Sequence, residues 1–251
     1  MKKILTTFFA LSLLSFAQEA APDTPEVKKP QFILELEALT QDQKKSYFAL
    51  YQKADQLFNQ KRIFECLDTV HKIHQIYDGN PASLTIKGAC YVEFRNFPKA
   101  RAAFSKALKS SPYNFNVSFN LAEISFVTKE YTLALSQFQA LKKQIGEKEA
   151  PTGMEALIDF KILLCMLKTD QKEGARKIVE GTDFLDDTPL FYYGNAALAY
   201  DADNGAEAEV WLARANRIFR NPSTIAPWKD TLIEFGYIKS FYGGDLEVDN
   251  D

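Results

Sequence analysis

Apolar residues recur at helical spacing through most of this chain, and proline or glycine separates many of the apolar stretches. In the last such stretch, apolar side chains return every three residues, at Leu232, Phe235, Ile238 and Phe241. This spacing is typical of one face of an amphipathic helix. Because no segment has the pattern of a convincing strand, the chain is predicted to be all-α.

Capping residues mark several predicted helix boundaries. Thr40 followed by Gln43 has the capping-box pattern, which predicts a helix that begins ahead of the repeat pattern described next. Two further pairs place a capping residue before a proline at the first helical position, Asn80-Pro81 and Thr188-Pro189.

A set of small and large residues returns with a period of 34 residues. Its clearest copy, G-x2-Y-x8-A-x3-F-x2-A-x4-P, consists of Gly88, Tyr91, Ala100, Phe104, Ala107 and Pro112. One period later the first five offsets hold Ala122, Ser125, Ala134, Phe138 and Leu141, and one period earlier they hold Ala54, Leu57, Cys66, Val70 and Ile73. After residue 148 the phase slips by seven residues, near Pro151 and Gly153, and two divergent copies follow.

This alternation has a packing reason. Small residues midway along a first helix and early in a second helix let the two helices approach closely, and the large residues fill the space between them. One such hairpin cannot bury its apolar face alone, so neighbouring hairpins must stack.

The motif resembles the tetratricopeptide repeat (TPR), on the six residues of its clearest copy. It departs from that family at Lys87, where a large apolar residue is preferred, at Ser125, which replaces an aromatic, and at Cys66, which replaces alanine. The resemblance covers about residues 47–220. It implies an all-α, right-handed α-solenoid of about five helix-turn-helix repeats, plus a C-terminal capping helix that closes the open edge of the core.

The predicted layout has four parts. A signal peptide at 1–17 and a flexible lead-in at 18–38 precede the solenoid at 39–242, and an acidic tail occupies 243–251. The repeat units are expected at about 47–80, 81–114, 115–148, 156–187 and 189–221, followed by a cap at 224–242 that Gly243-Gly244 would end.

Residues 1–17 have the pattern of a secretory signal peptide. Lys2 and Lys3 precede an uncharged apolar run, and Ser15 and Ala17 are small residues at the −3 and −1 positions of a cleavage site. The run is shorter than the roughly 20 residues that span a bilayer, and no later stretch is long enough. We therefore expect a periplasmic bacterial protein, with the extracellular space as the alternative, and no transmembrane segment in the mature chain.

Charge and motifs narrow the function classes. A formal charge of −3 gives no basic surface for nucleic acid, so no nucleic-acid partner is expected. The sequence contains no G-x-S-x-G elbow, H-E-x-x-H motif or phosphate-binding loop, so no catalytic residue and no cofactor is assigned. An enzyme with a site assembled across helices stays open, because the sequence does not show which carboxylates meet in space.

The histidines and cysteines leave two questions open. His71 and His74 suit either two metal ligands or an ordinary helix face, and because two ligands do not close a zinc site, no metal is assigned. The cysteines, including Cys165, occupy apolar or small positions, where a free cysteine behaves as a buried hydrophobe. Cys66 and Cys90 fall on adjacent predicted helices, so a bridge between them is an alternative.

The resemblance also implies that the first helix of each unit lines a concave inner surface. The candidate peptide-binding residues carried over on that basis are Phe48, Tyr51, Asp55, Phe58, Thr85, Val92, Glu93, Asn116, Phe119, Glu123, Phe126, Phe160 and Tyr193. Aromatic side chains are enriched in interface cores, which favours a groove for a partner. The alternative is that tight winding or the N-terminal helix buries these aromatics.

Three functions are compatible with this pattern. The first is an exported, non-enzymatic scaffold that binds a protein or peptide segment in the groove, during assembly of a cell-envelope complex. The inner carboxylates and the scarcity of lysine there favour an apolar or weakly basic segment over an anionic peptide end. The second is a glycan-binding or glycan-processing accessory protein, since aromatic platforms also suit sugars, and the third is the enzyme described above. The sequence predicts no oligomeric state.

Overall fold

The computed structural model describes residues 29–147 and 153–239 as helices joined by short loops, with no strand in these two ranges. The helices are α1 (Gln31–Ala38), α2 (Gln41–Asn59), α3 (Ile63–Ile76), α4 (Pro81–Glu93), α5 (Phe97–Ser110), α6 (Phe115–Val127), α7 (Tyr131–Glu147), α8 (Met154–Lys168), α9 (Lys172–Glu180), α10 (Leu190–Asp201), α11 (Gly205–Ile218) and α12 (Pro222–Phe235). The predicted all-α class is confirmed.

Parts of the predicted layout lie outside the described residues. These are the signal peptide at 1–17, most of the lead-in and the acidic tail at 243–251. The end of the lead-in is described, and α1 occupies it, so an eight-residue helix stands where flexible chain was expected.

From α2 to α11 the helices form pairs, α2–α3, α4–α5, α6–α7, α8–α9 and α10–α11, and a three-residue turn joins the two helices of each pair. The middle residue of every turn is left-handed, with φ between 52° and 63°, although none is glycine: Lys61, Arg95, Lys129, Asp170 and Asp203. These residues are spaced 34, 34, 41 and 33 positions apart, which reproduces the repeat period and the slip of seven residues read from the sequence.

The caps explain where several helices begin. Gln43 N donates to Thr40 Oγ1 at 3.2 Å, and Thr40 N donates to Gln43 Oε1 at 3.0 Å, so the predicted capping box is confirmed. Asn80 caps α4 ahead of Pro81, as predicted. The prediction at Thr188 was one residue early, because Pro189 itself precedes the first helical residue of α10 and Thr188 makes no cap.

Small residues set the distance between paired helices. A Cβ placed on Gly88 of α4 would lie 2.7 Å from Phe104 Cζ of α5, and closer still to other atoms of that ring. Ala100 and Ala107, on the same face of α5 as Phe104, are fully buried. The small–large alternation read from the sequence is therefore the packing surface between the two helices of a pair.

The first helices of neighbouring pairs form an inner face. Close contacts join α2 to α4, α4 to α6 and α8 to α10, whereas the second helices of neighbouring pairs make no comparable contact in the described chain. Helices packed more closely on one side bend an array toward that side. The first helices therefore lie on the concave side.

The last helix does not close the end of the array as predicted. Its main contacts are with α6 and α8, so α12 turns back across the inner face. It also ends at Phe235, short of the predicted 242, because Gly236 adopts φ 91° and Tyr237 N bonds back to the Leu232 carbonyl. Gly243-Gly244 lies outside the described residues.

Candidate functional site

The inner face has two parts, which differ in whether α12 lies on them. The open inner surface comprises the predicted residues on α2 and α4 together with Asn116 and Phe119 of α6. The covered inner surface comprises Glu123, Phe126, Phe160 and Tyr193, on α6, α8 and α10. The thirteen predicted residues are thus split between these two surfaces.

Apolar groups on the open inner surface are accessible. The Phe48 side chain is 52% exposed although its ring meets Tyr47 edge-on at 5.5 Å, and Tyr51 and Phe58 are half-buried. On the neighbouring α4, Thr85 and Val92 are half-buried. Aromatic and aliphatic groups of two adjacent helices are therefore available to one extended or helical segment.

Charged groups border this apolar strip. Asp55 is exposed and accepts a hydrogen bond from Asn59 Nδ2 at 3.3 Å. Glu93 accepts from Lys61 Nζ at 2.9 Å, and the same ammonium lies 5.7 Å from the centre of the Phe58 ring. Both carboxylates are on the surface, but Glu93 is paired with Lys61, so Asp55 supplies the net negative charge at the edge of the strip.

The phenol of Tyr51 stays neutral at physiological pH. Its pKa is raised above the ordinary value of 10, first by burial and then by the neighbouring carboxylate of Asp55. Its hydroxyl is therefore available as both a donor and an acceptor of hydrogen bonds.

At the edge of the open surface, Asn116 is exposed and Phe119 is half-buried. The Phe119 ring stacks with Phe115 at 6.3 Å and meets Phe138 edge-on at 6.1 Å. Phe119 is thus both a core residue and a partly accessible one, so a change at this position tests binding less cleanly than one at Phe48.

The covered inner surface is buried beneath α12. Phe126, Phe160 and Tyr193 are 1%, 0% and 2% exposed, so they do not line an open groove. Trp228 of α12 packs with its ring 5.3 Å from Phe160 and 5.8 Å from Tyr193. Burial raises the pKa of Tyr193 to about 12.

The same cover extends to the other end of α12. The Phe235 ring stacks on Phe126 at 5.8 Å and meets Tyr131 at 5.4 Å. The buried residues of α12 are Trp228, Thr231, Leu232 and Phe235, the i, i+3, i+4, i+7 pattern of an amphipathic helix. The alternative of buried aromatics therefore applies to this part of the inner face, where α12, near the C-terminus, covers them in place of an N-terminal helix.

Lys161 is a residue of this surface that the sequence analysis missed. Its side chain is only 2% exposed, and its Nζ lies 2.9 Å from Glu123 Oε1 and 4.8 Å from the centre of the Phe126 ring. The ammonium also donates to Thr231 Oγ1 of α12 at 3.0 Å. The signal was present, because Lys161 is the single basic residue inside the apolar run IDFKILLCML.

The two histidines lie in different environments. His71 is exposed, while His74 is half-buried with its Nε2 3.2 Å from Ser83 Oγ. Burial, reinforced by Lys87, lowers the pKa of His74 to about 4. Within 29–147 and 153–239, no three His, Cys, Asp or Glu side chains are grouped to hold a metal ion.

The cysteines are enclosed in the packed protein. All three are buried, and no two of them are bonded in this structure. Burial raises the pKa of the Cys66 and Cys90 thiols, and it raises the pKa of Cys165 to about 12. A thiol is a weak nucleophile, and burial also keeps substrates away.

Two surface clefts lie away from the predicted residues. One is bounded by residues of α5, α6 and α7, including Leu108, Leu121 and Gln137, and the other by residues of α9 and α10 and the loop between them. Neither contains a predicted site residue. The accessible side chains of the open inner surface are spread over α2, α4 and α6, an arrangement that suits a chain segment better than an enclosed small molecule.

Solved structures with this arrangement of helices are known. MamA residues 41-end from Desulfovibrio magneticus RS-1 superimposes with a TM-score of 0.54 over 70% of this chain and 96% of that chain, at 16% identity. A MamA RS-1 ArsTM double mutant gives the same TM-score and identity. The chain has the TPR fold. At 16% identity, the likeness establishes the TPR fold and not the function.

A further TPR protein, YrrB, described as having an unusual peptide-binding site, superimposes with a TM-score of 0.49 at 16% identity, over 72% of this chain and 90% of that chain. No protein-family model and no curated protein sequence matches the chain. None of the described helices is long and apolar enough to cross a membrane.

Proposed function

We propose that this chain is an exported, non-enzymatic scaffold that binds a protein or peptide segment on its open inner surface, during assembly of a cell-envelope complex. The proposal rests on one observation, the packing of α12 against the neighbouring covered inner surface. An amphipathic helix packs there on aromatic residues of the first helices, and the open surface continues the same face without such a helix.

The partner we propose is an amphipathic or extended segment with an apolar stripe and weakly basic flanks. Phe48, Tyr51, Phe58 and Val92 supply the apolar contact, and aromatic anchors of this kind dominate binding energy at interfaces. Asp55 favours a basic group at the edge of the segment and disfavours an anionic chain end, and Glu93 can accept from a basic group that replaces Lys61.

Export is part of the proposal and has its own test. N-terminal sequencing of the protein recovered from the host envelope is expected to start at Gln18, after cleavage behind Ala17. A protein that retains Met1 and stays with the cytosolic fraction would contradict export while leaving the binding surface to be tested separately.

Binding is tested by site-directed photo-crosslinking in the host cell. A photoreactive phenylalanine replaces Phe48 in one variant and Phe184 in the other. Phe184 is the matched control, because it is 59% exposed and lies on the loop between α9 and α10, away from the inner face. We expect a discrete cross-linked product at position 48 and none at position 184. The same partner must then be lost from Phe48→Ser and retained by Phe184→Ser, with unchanged helical circular dichroism in both.

Identical products at both positions would contradict a site on the inner face. If position 48 gives no protein product and oligosaccharides quench the aromatic fluorescence of the wild-type chain, the glycan-binding alternative replaces the scaffold.

A further inference from the structure

Cys66 and Cys90 lie against each other between the first two helix pairs. Cys66 is on α3 and Cys90 is on α4, and the Cys90 thiol donates to Cys66 Sγ with the two sulfurs 3.4 Å apart. Both residues are fully buried. Neighbouring groups hold the pair in place, because Cys66 Sγ also donates to the carbonyl of Ala54 on α2 at 3.2 Å.

This geometry suits a covalent bond. A disulfide needs its sulfurs about 2.05 Å apart, so closure needs a shift of little more than 1 Å, within reach of side-chain rotation and a small adjustment of two helices. Cys165, in contrast, lies on α8 in a different hydrophobic cluster from the other two. The chain therefore has one close pair of thiols and a third cysteine that serves as an internal reference.

We propose that Cys66 and Cys90 form an intramolecular disulfide that joins α3 to α4. The oxidant is another disulfide, either of a thiol-disulfide exchange protein or of glutathione. One cysteine thiolate attacks that disulfide, forming a mixed disulfide and releasing one reduced thiol. The second cysteine then attacks the protein sulfur of the mixed disulfide, releases the second reduced thiol and closes the bond, so two cysteines are oxidised while one external disulfide is reduced.

Burial determines when this exchange occurs. In the packed protein both thiols are fully enclosed and held protonated, so external disulfides react with them slowly. The bond therefore forms while the first two helix pairs are still packing or when they open locally. Once closed, the same enclosure protects it from reductants.

The bond would act on the open inner surface. Phe48 and Tyr51 lie on α2 and Val92 lies on α4, and the disulfide would fix the spacing of these two helices through α3 and Ala54. No helix covers this part of the inner face in the described chain, so the disulfide would supply a constraint that α12 supplies in the other half. The inference does not depend on the proposed function.

The test refolds the full chain under two redox conditions. Reduced, unfolded protein is diluted into buffer with excess reductant or into a mixture of reduced and oxidised glutathione. Each sample is then unfolded without reductant, alkylated and weighed by mass spectrometry. We expect three alkylated cysteines after reducing refolding and one, Cys165, after oxidising refolding, with a digest fragment that links Cys66 to Cys90.

Two variants keep the result interpretable. After oxidising refolding, Cys90→Ala is expected to give two alkylated cysteines and no linked fragment. Cys165→Ala is expected to give no alkylated cysteine, because both of its remaining thiols form the bond. The oxidised wild type should also melt roughly 5–10 °C higher than the reduced protein, because a closed loop of this length restricts the unfolded chain. Three alkylated cysteines, glutathione adducts or a link to Cys165 after oxidising refolding would overturn the proposal.

Discussion

The two ends of the array bury their apolar residues differently. From α2 to α6, the buried residues form two small clusters, each confined to neighbouring helices. From α6 to α12 they form one large cluster, which includes α12 lying across the inner face. Regular stacking therefore buries the apolar residues of the first two pairs, and from α6 onward the added helix α12 completes the core.

The position of α12 explains this difference. The repeat phase slips between α7 and α8, and in the described chain α6 and α8 contact each other less than the other neighbouring first helices do. Helix α12 contacts both α6 and α8. Aromatic residues that a regular array would leave on its inner face thus become core. Phe58 and Phe126, two periods apart, occupy the same repeat position, yet Phe58 is only half-buried while Phe126 beneath α12 is 1% exposed.

The largest expected effect comes from truncating Trp228, in the middle of α12. Trp228→Ala should lower the free energy of unfolding by about 3–5 kcal/mol, because Trp228 fills the space above Phe160 and Tyr193. Hydrogen exchange should quicken in α8 and α10 and stay unchanged in α2 to α5. Lys229→Ala, an exposed change on the same helix, is the control, and equal acceleration in both halves would show that the two regions are not separate units.

The buried ion pair gives the next effect. Lys161→Met should cost about 3 kcal/mol in urea unfolding, since the carboxylate of Glu123 loses its partner in a water-poor site. Adding Glu123→Leu should recover most of that loss, because the unpaired charge is then removed. Strict additivity of the two substitutions would contradict a coupled pair.

The third prediction concerns the close contact between α4 and α5 in the N-terminal half. Gly88→Ala should cost about 2–3 kcal/mol, because the new methyl group overlaps the ring of Phe104. Gly205→Ala is the matched change, since nothing lies within 4 Å of a Cβ placed there, and it should leave the urea midpoint nearly unchanged. Equal effects of the two variants would remove the packing explanation.

The smallest effect is a pH dependence confined to the first pairs. The folded-state pKa of His74 is about 4, below the ordinary value of 6.5, so the unfolded chain binds a proton more readily between these values. Stability from this group is complete above pH 6.5 and should fall by about 2 kcal/mol as the pH drops from 7 to 4.5. His74→Gln should remove that part of the slope in pH-dependent urea unfolding, and His71→Gln, at an exposed position of α3, should not.

Local signals in the sequence predicted the fold well. The capping box at Thr40, the small residues at Gly88 and Ala100, and the phase slip near Gly153 all depend on residues close in sequence or on one repeated hairpin. The end of α12 was predicted wrongly because Ile238 and Phe241 continue the apolar spacing, while the left-handed conformation of Gly236 ends the helix first.

The candidate site was predicted less completely. The repeat phase identifies which residues lie on first helices, and it placed Phe48 and Phe160 on the same face. It carries no information on where a terminal helix returns to pack, so the cover over Phe160 and the role of Lys161 required the three-dimensional contacts. Whether a partner uses the open inner surface stays a prediction.

The return of α12 also bears on the order in which the chain folds. Lys161 and Thr231 are 70 residues apart in sequence, so their bond closes only after the last helix has emerged. The first two pairs make contacts mainly within and between adjacent hairpins, and such local contacts form fast and early. During synthesis, the N-terminal half would therefore be complete while Phe126 and Phe160 still face solvent, and aromatic surface exposed in this interval favours aggregation.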